Sequence, residues 1–170
     1  MGIVIREKTG NLNNINTSGR AIDKLSIEWF EANKRILHKK TDEGTAITIK
    51  FLKENPDFKE GDVLWSDHKM LIVVEIKPCE AIVIRPATIL EASSICYEIG
   101  NKHLPLFYER EDLLIPYEAP LHRLLLASGY TMKVEERKLI NAVKTSVSPH
   151  ADSGGSTSLF NKILHLTTSS

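Results

Sequence analysis

The chain has 170 residues, 42% hydrophobic and 26% charged, which suits one medium domain or two small ones in water. Its 22 Lys and Arg residues balance 22 Asp and Glu residues, so it lacks the basic excess of a nucleic-acid binder or of a protein drawn to an anionic membrane surface. The longest apolar run, Met70–Val74, is too short to span a bilayer, and the start has no basic region followed by a long apolar one, so no secretory leader is expected. Cys79 and Cys96 form neither a CxxC pair nor a disulfide framework, which fits a reducing compartment. A cytoplasmic protein with no nucleic-acid or membrane partner is expected.

Up to Lys77 the pattern is β. The stretch 45–51, TAITIKF, puts Ile47, Ile49 and Phe51 on one face and Thr48 and Lys50 on the other, the period of a half-buried strand. KRILHKK precedes it, joined by TDEGT, whose glycine suits a short hairpin loop. KEGD and SDHK are further turns flanking VLW and MLIVVEI, while Pro56 marks a surface loop. A small sheet or open barrel with no helix is expected. Lys77-Pro78-Cys79-Glu80 reads as a boundary, after which the rhythm changes. AIVIRP reads as a strand, Thr88–His103 as a helix, and LPLFYE and LLIPY as strands. Pro120–Ser128 reads as a helix with Gly129 just past its end, and MKVEERKL as a last strand. The order β-α-β-β-α-β is the split βαβ, or ferredoxin-like, unit. The fold class expected is therefore α+β: an all-β domain over 1–77, a ferredoxin-like domain over 78–148 and a flexible tail over 149–170. The tail ends in an apolar face at Leu159, Phe160, Ile163 and Leu164.

The first predicted helix carries the residue of greatest chemical interest. Thr88 with Glu91 three positions later forms a capping-box pattern. Ala92, Cys96 and Ile99 then step at four and three residues, and His103 extends the series. At 3.6 residues per turn, Cys96 and His103 lie on one stripe about two turns and roughly 10 Å apart, too far to share one metal ion. Gly100 weakens the helix but admits close approach of another backbone. Spacing alone leaves two readings open for His103: a histidine favoured by the helix macrodipole, or an imidazole displayed as a ligand.

The segment CYEIGNKHLPLFY, Cys96–Tyr108, resembles the Gly-Asn-Arg-His segment of the UreE family of urease accessory nickel chaperones. IEWFEANKRILHKKTDEGTAITI (27–49), EGDVLW (60–65) and YEAPLHRLLLASGY (117–130) are similar to other segments of that family, so the resemblance runs from Leu25 to Pro149. It implies a β domain that binds a peptide or partner, and a second domain that binds metal and forms a homodimer. It implies no enzymatic activity, with Ni²⁺ carried to the urease apoprotein complex and its GTPase accessory protein. A twofold contact presents the same side chain from both copies, so His103 of each subunit would hold one ion. His150, in SPHADS, is either a further ligand, with Asp152 adding an oxygen beside it, or a solvated loop residue. Two imidazoles suit Ni²⁺ but also Zn²⁺, a competitor, and Cu²⁺. Two departures stand out: position 102 is Lys rather than Arg, which removes a planar fork, and the tail carries only His150 and His165 rather than a histidine-rich run. His38, His68, His122 and His165 are not expected as ligands, and Cys79 and Cys96 are expected as small buried hydrophobes. The competing classes are a pure interaction module, with a peptide-binding β domain, and a Cys–His hydrolase using Cys96 and His103. The two-turn separation counts against the second, because nucleophile and base must lie within hydrogen-bond reach.

Overall fold

The computed structural model describes residues 2–53 and 55–143. Among the described residues the first half contains seven strands: β1 (Ile3–Ile5), β2 (Gly10–Asn11), β3 (Ala21–Ile27), β4 (Ile36–Lys40), β5 (Ala46–Lys50), β6 (Asp62–Ser66) and β7 (Met70–Ile76). They form two sheets, in the orders β1-β5-β4 and β2-β6-β7-β3, rather than the single small sheet or open barrel expected. The sheets share one core, in which Ile5, Ile47 and Ile49 meet Leu25, Ile27, Leu64, Ile72 and Val74. Ile47, Ile49 and Phe51 are all buried, as their alternation requires.

The run MLIVVEI shows why a barrel was the wrong expectation. Ile72, Val74 and Ile76 enter the shared core, while Leu71 and Val73 pack on the other side of the sheet with Val63, Leu12 and Ile15. A strand covered on both faces reads as a continuous apolar run. Its covers are a second sheet and the N-terminal segment around Leu12. β3, which pairs parallel with β7, gave no strand signal because Asp23 occupies a buried position among Leu25 and Ile27.

The second half has β8 (Pro78–Ile84), α1 (Ile89–Asn101), β9 (Phe107–Glu109), β10 (Asp112–Pro116), α2 (Ala119–Ala127) and β11 (Met132–Lys138). The order β-α-β-β-α-β is the one expected. The sheet runs β11-β8-β10-β9 with every neighbour antiparallel. Ile82, Ile84 and Ile115 point to the helices and pack against Ile95, Ile99, Leu121 and Leu125. Ala81, Val83, Phe107 and Leu114 point the other way and pack with Leu139 and Trp29. Trp29 belongs to the first half, so the outer face of the second sheet is where the halves touch. The Trp29 and Phe107 rings meet edge-on with centroids 5.6 Å apart, and Lys138 Nζ lies 2.7 Å from Glu60 Oε1. Lys77 alone separates β7 from β8, and its N–H donates to the Ile27 carbonyl at 2.9 Å. None of the helices among the described residues is long and apolar enough to cross a membrane.

Candidate metal centre

α1 starts as its sequence requires. Thr88 is the N-cap, and its Oγ1 accepts the Glu91 N–H at 3.1 Å. The Glu91 carboxylate reaches one residue further back than in a capping box, accepting the Ala87 N–H at 2.7 Å. Ile95 and Ile99 are the buried residues of the helix, and Cys96 packs beside them.

Its end departs from expectation. The helix stops at Asn101, two residues before His103. The two helices of the second half close in the same way. In α2 the Gly129 N–H donates to the Leu126 carbonyl and the Tyr130 N–H to the Leu125 carbonyl, with Gly129 at φ +83°. In α1 the His103 N–H donates to the Gly100 carbonyl at 3.0 Å and the Leu104 N–H to the Ile99 carbonyl at 3.3 Å. Both are Schellman closures, which place one residue in the left-handed region just past the cap. Leu104 packs in the same apolar cluster as Ile99, which completes the motif. In α2 that seat holds glycine. In α1 it holds His103, at φ +54°. Gly100, read from sequence as a weak point that admits another backbone, lies inside the last turn, where a Cβ would meet nothing within 4 Å.

His103 therefore leaves the helical stripe on which Cys96 lies, and the chain turns it outward. It is exposed, as are its neighbours Asn101 and Lys102. A Cβ in the left-handed region costs roughly 1–2 kcal/mol, and glycine would remove that cost. Among the described residues Asp57 and Arg110 share this departure, at φ +44° and +55°, so what sets His103 apart is an imidazole at an exposed helix end.

The other described histidines are dispersed. His38 lies on β4 with its Nδ1 3.2 Å from Thr48 Oγ1, and His68 is exposed in the turn before β7. His122, on α2, stacks at a tilt on Tyr117 with centroids 5.7 Å apart. Cys96 packs against the core beneath α1, and Cys79 against the outer sheet face, where burial and then Glu28 push its thiol up. His150, Asp152 and His165 lie outside the described residues. Among the described residues, no three His, Cys, Asp or Glu side chains come together in a group that could hold a metal. Among the described residues of one copy, His103 is therefore an exposed imidazole outside any such group.

Two further features bear on this imidazole. α1 turns an unpartnered face outward: Leu90 is 74% exposed and Tyr97 72%, and Ser93 and Gly100 fall on the same side at helical spacing. Beyond β11 the chain also returns along β9, a pairing that the sequence NAV did not signal. Phe107 bridges Ala142 in antiparallel sense, and the Val143 N–H donates to the Leu106 carbonyl at 2.8 Å.

Comparison with known proteins agrees with this architecture. The profile "UreE urease accessory protein, N-terminal domain" matches residues 5–77, and "UreE urease accessory protein, C-terminal domain" matches residues 79–156. The chain belongs to the UreE family. It is similar to the urease accessory protein UreE of Flavobacterium johnsoniae, 44% identical over 164 residues that cover 96% of this chain and 99% of that one. It is 35% identical to the UreE of Helicobacter pylori, over 88% of this chain and 91% of the other. To the UreE of Acetivibrio thermocellus it is 34% identical, over 81% and 89%. By family, then, this is a urease accessory protein.

Proposed function

We propose that the chain is a nickel-carrying chaperone of urease maturation. It works as a cytoplasmic homodimer that collects one Ni²⁺ between His103 of two copies and delivers it to the urease apoprotein complex and its GTPase accessory protein. Residues 1–77 form the domain that meets a partner, residues 78–148 the domain that dimerises and binds metal, and residues 149–170 the tail. The observation that carries this is the left-handed seat at the end of α1, where an exposed histidine stands in place of the glycine used at the end of α2.

The chemistry follows from the surroundings. A lone imidazole binds a divalent ion weakly, and two suit nickel, with zinc and copper also able to bind. A twofold contact doubles every group it includes. The exposed face of α1, with Tyr97 and Leu90 and the open space above Gly100, supports a helix-to-helix contact that would bring the two α1 ends together. His150 supports the same site. The chain leaves the described residues at Val143, bonded to Leu106 and running antiparallel to β9, so its direction is toward His103. Seven residues further on, His150 has a reach of up to roughly 24 Å. A ligand on such a tether adds effective concentration when bound and can detach at the moment of transfer. An exposed ion held by few protein ligands suits delivery rather than storage.

Calorimetric titration with Ni²⁺ tests the proposal. The wild-type protein is expected to take up one ion per two chains, His103→Ala to lose the tight site while keeping its dimer mass, and His150→Ala to bind more weakly at the same stoichiometry. Tight binding unchanged in His103→Ala would refute it.

A further inference from the structure

A cleft of ≈ 410 Å³ lies where the two halves meet, on the side of the second sheet away from α1 and α2. Trp29, Phe30, Phe58, Phe107, Tyr108 and Ile140 line it. Phe30 is 56% exposed and Tyr108 48%, and Ile140 and Val143 are exposed beside them. Apolar side chains gathered this way, rather than scattered singly, mark a surface with an occupant. The last described residues build one wall: Ile140, Asn141 and Ala142 line the cleft, and the Tyr108 N–H donates to the Asn141 carbonyl at 2.9 Å. The rest of the chain therefore departs from the cleft itself.

Among residues 144–170 apolar side chains concentrate in Leu159-Phe160-Asn161-Lys162-Ile163-Leu164-His165-Leu166. Positions 159, 160, 163 and 164 share one face at helical spacing. We propose that the cleft is the docking site for residues 159–166 of the same chain, with Phe160 and Ile163 set against the aromatic wall. The volume sits near the small end of the roughly 300–1,000 Å³ typical of ligand pockets, so it takes a few side chains rather than a folded partner. Residues 144–158 are rich in Ser and Gly, and such a span has a root-mean-square length of about 22 Å. It can leave the cleft and return, and the tether holds the segment near its site at an effective concentration in the millimolar range. The inference does not use the metal site and stands whether or not nickel binds.

Trp29 reports on the cleft once Trp65, the other tryptophan, is replaced in a Trp65→Phe background. Three metal-free chains are compared by Trp29 emission and by the amide resonances of Tyr108 and Asn141: the full chain, a chain ending at Ser158, and a full chain carrying Phe160→Asp and Ile163→Asp. Both altered chains are expected to show red-shifted emission and moved amide resonances relative to the full chain. The full-chain signals are expected to hold over a tenfold dilution. A synthetic 159–166 peptide is expected to restore them in the truncated chain and to leave the full chain unchanged. Identical cleft signals in all three chains would overturn the proposal. A full-chain signal that fades on dilution would also overturn it, by assigning the segment to the cleft of a second copy.

Discussion

At the end of α1, binding and stability should pull in opposite directions, and substitutions at position 103 separate them. His103 occupies a left-handed seat at φ +54°. Such a conformation costs a residue with a Cβ roughly 1–2 kcal/mol, and glycine avoids that. Glycine's greater freedom in the unfolded chain offsets about 0.4–1 kcal/mol of the gain. Histidine tolerates the left-handed region better than most residues, while a β-branched side chain tolerates it worst. The expected order of apoprotein stability is therefore Gly at or above His, and His above Val. The span from His103→Gly to His103→Val should be about 1.5 kcal/mol, or about 3–6 °C in Tm for a chain of this size. Urea and thermal unfolding followed by circular dichroism, at fixed protein concentration and with chelator present, give the order. Nickel titration of the same variants should show the tight site gone from both. A Gly variant less stable than wild type by more than about 0.5 kcal/mol would mean that the imidazole holds the fold together, and the functional argument built on its strained seat would fail.

Other consequences can be checked separately. Tyr97→Glu places a charge on the outward face of α1 and is expected to convert a dimer to a monomer by sedimentation, with no loss of helix content; an unchanged dimer mass would place the interface elsewhere. Thr88→Ala removes the hydroxyl that caps the Glu91 N–H and should cost about 1 kcal/mol, a fall in Tm of about 2–4 °C; an unchanged Tm would deny the cap its role. Burial opposes the charge of Glu31, but its hydrogen bond from Lys39 and the nearby Lys34 hold its carboxyl below the ordinary 4.5. A depressed folded-state value contributes stability in full above the ordinary carboxylate range, and that contribution is lost as pH falls through the folded value. The urea midpoint should therefore drop less between about pH 5 and pH 3 in Glu31→Gln than in wild type; parallel curves would remove Glu31 from the acid response.

Much of the second half was legible because its signals are local. Thr88, Pro120 and Gly129 mark helix ends by backbone chemistry that depends on a few neighbours, and the helices fall within two residues of the expected spans. What escaped was whatever depends on partners far along the chain. β3 pairs with β7 across the first half, and its buried Asp23 disguises its period. The return of Ala142 alongside Phe107 is one isolated bridge, too short to leave a pattern. At the candidate site the residue was legible but its geometry was not. Gly100 drew attention as a weak point of the helix, yet the left-handed position lies three residues later. A comparison of IGNKHL with LASGY in the same chain, aligned on the apolar residue that follows each turn, would have set His103 against Gly129.

The order of synthesis gives the strand pairing a further meaning. In the first half Ala21 pairs with Met70 and Ile27 with Ile76, and in the second Pro78 pairs with Lys138. Among the described residues, the sheets β2-β6-β7-β3 and β11-β8-β10-β9 are each completed by their last strand to leave the ribosome, and neither can form fully while that segment is still unmade. Contacts so distant along the chain make folding slow, in the range of milliseconds to seconds. A nascent chain halted before residue 70 would expose the whole length of β3 as an unpaired edge.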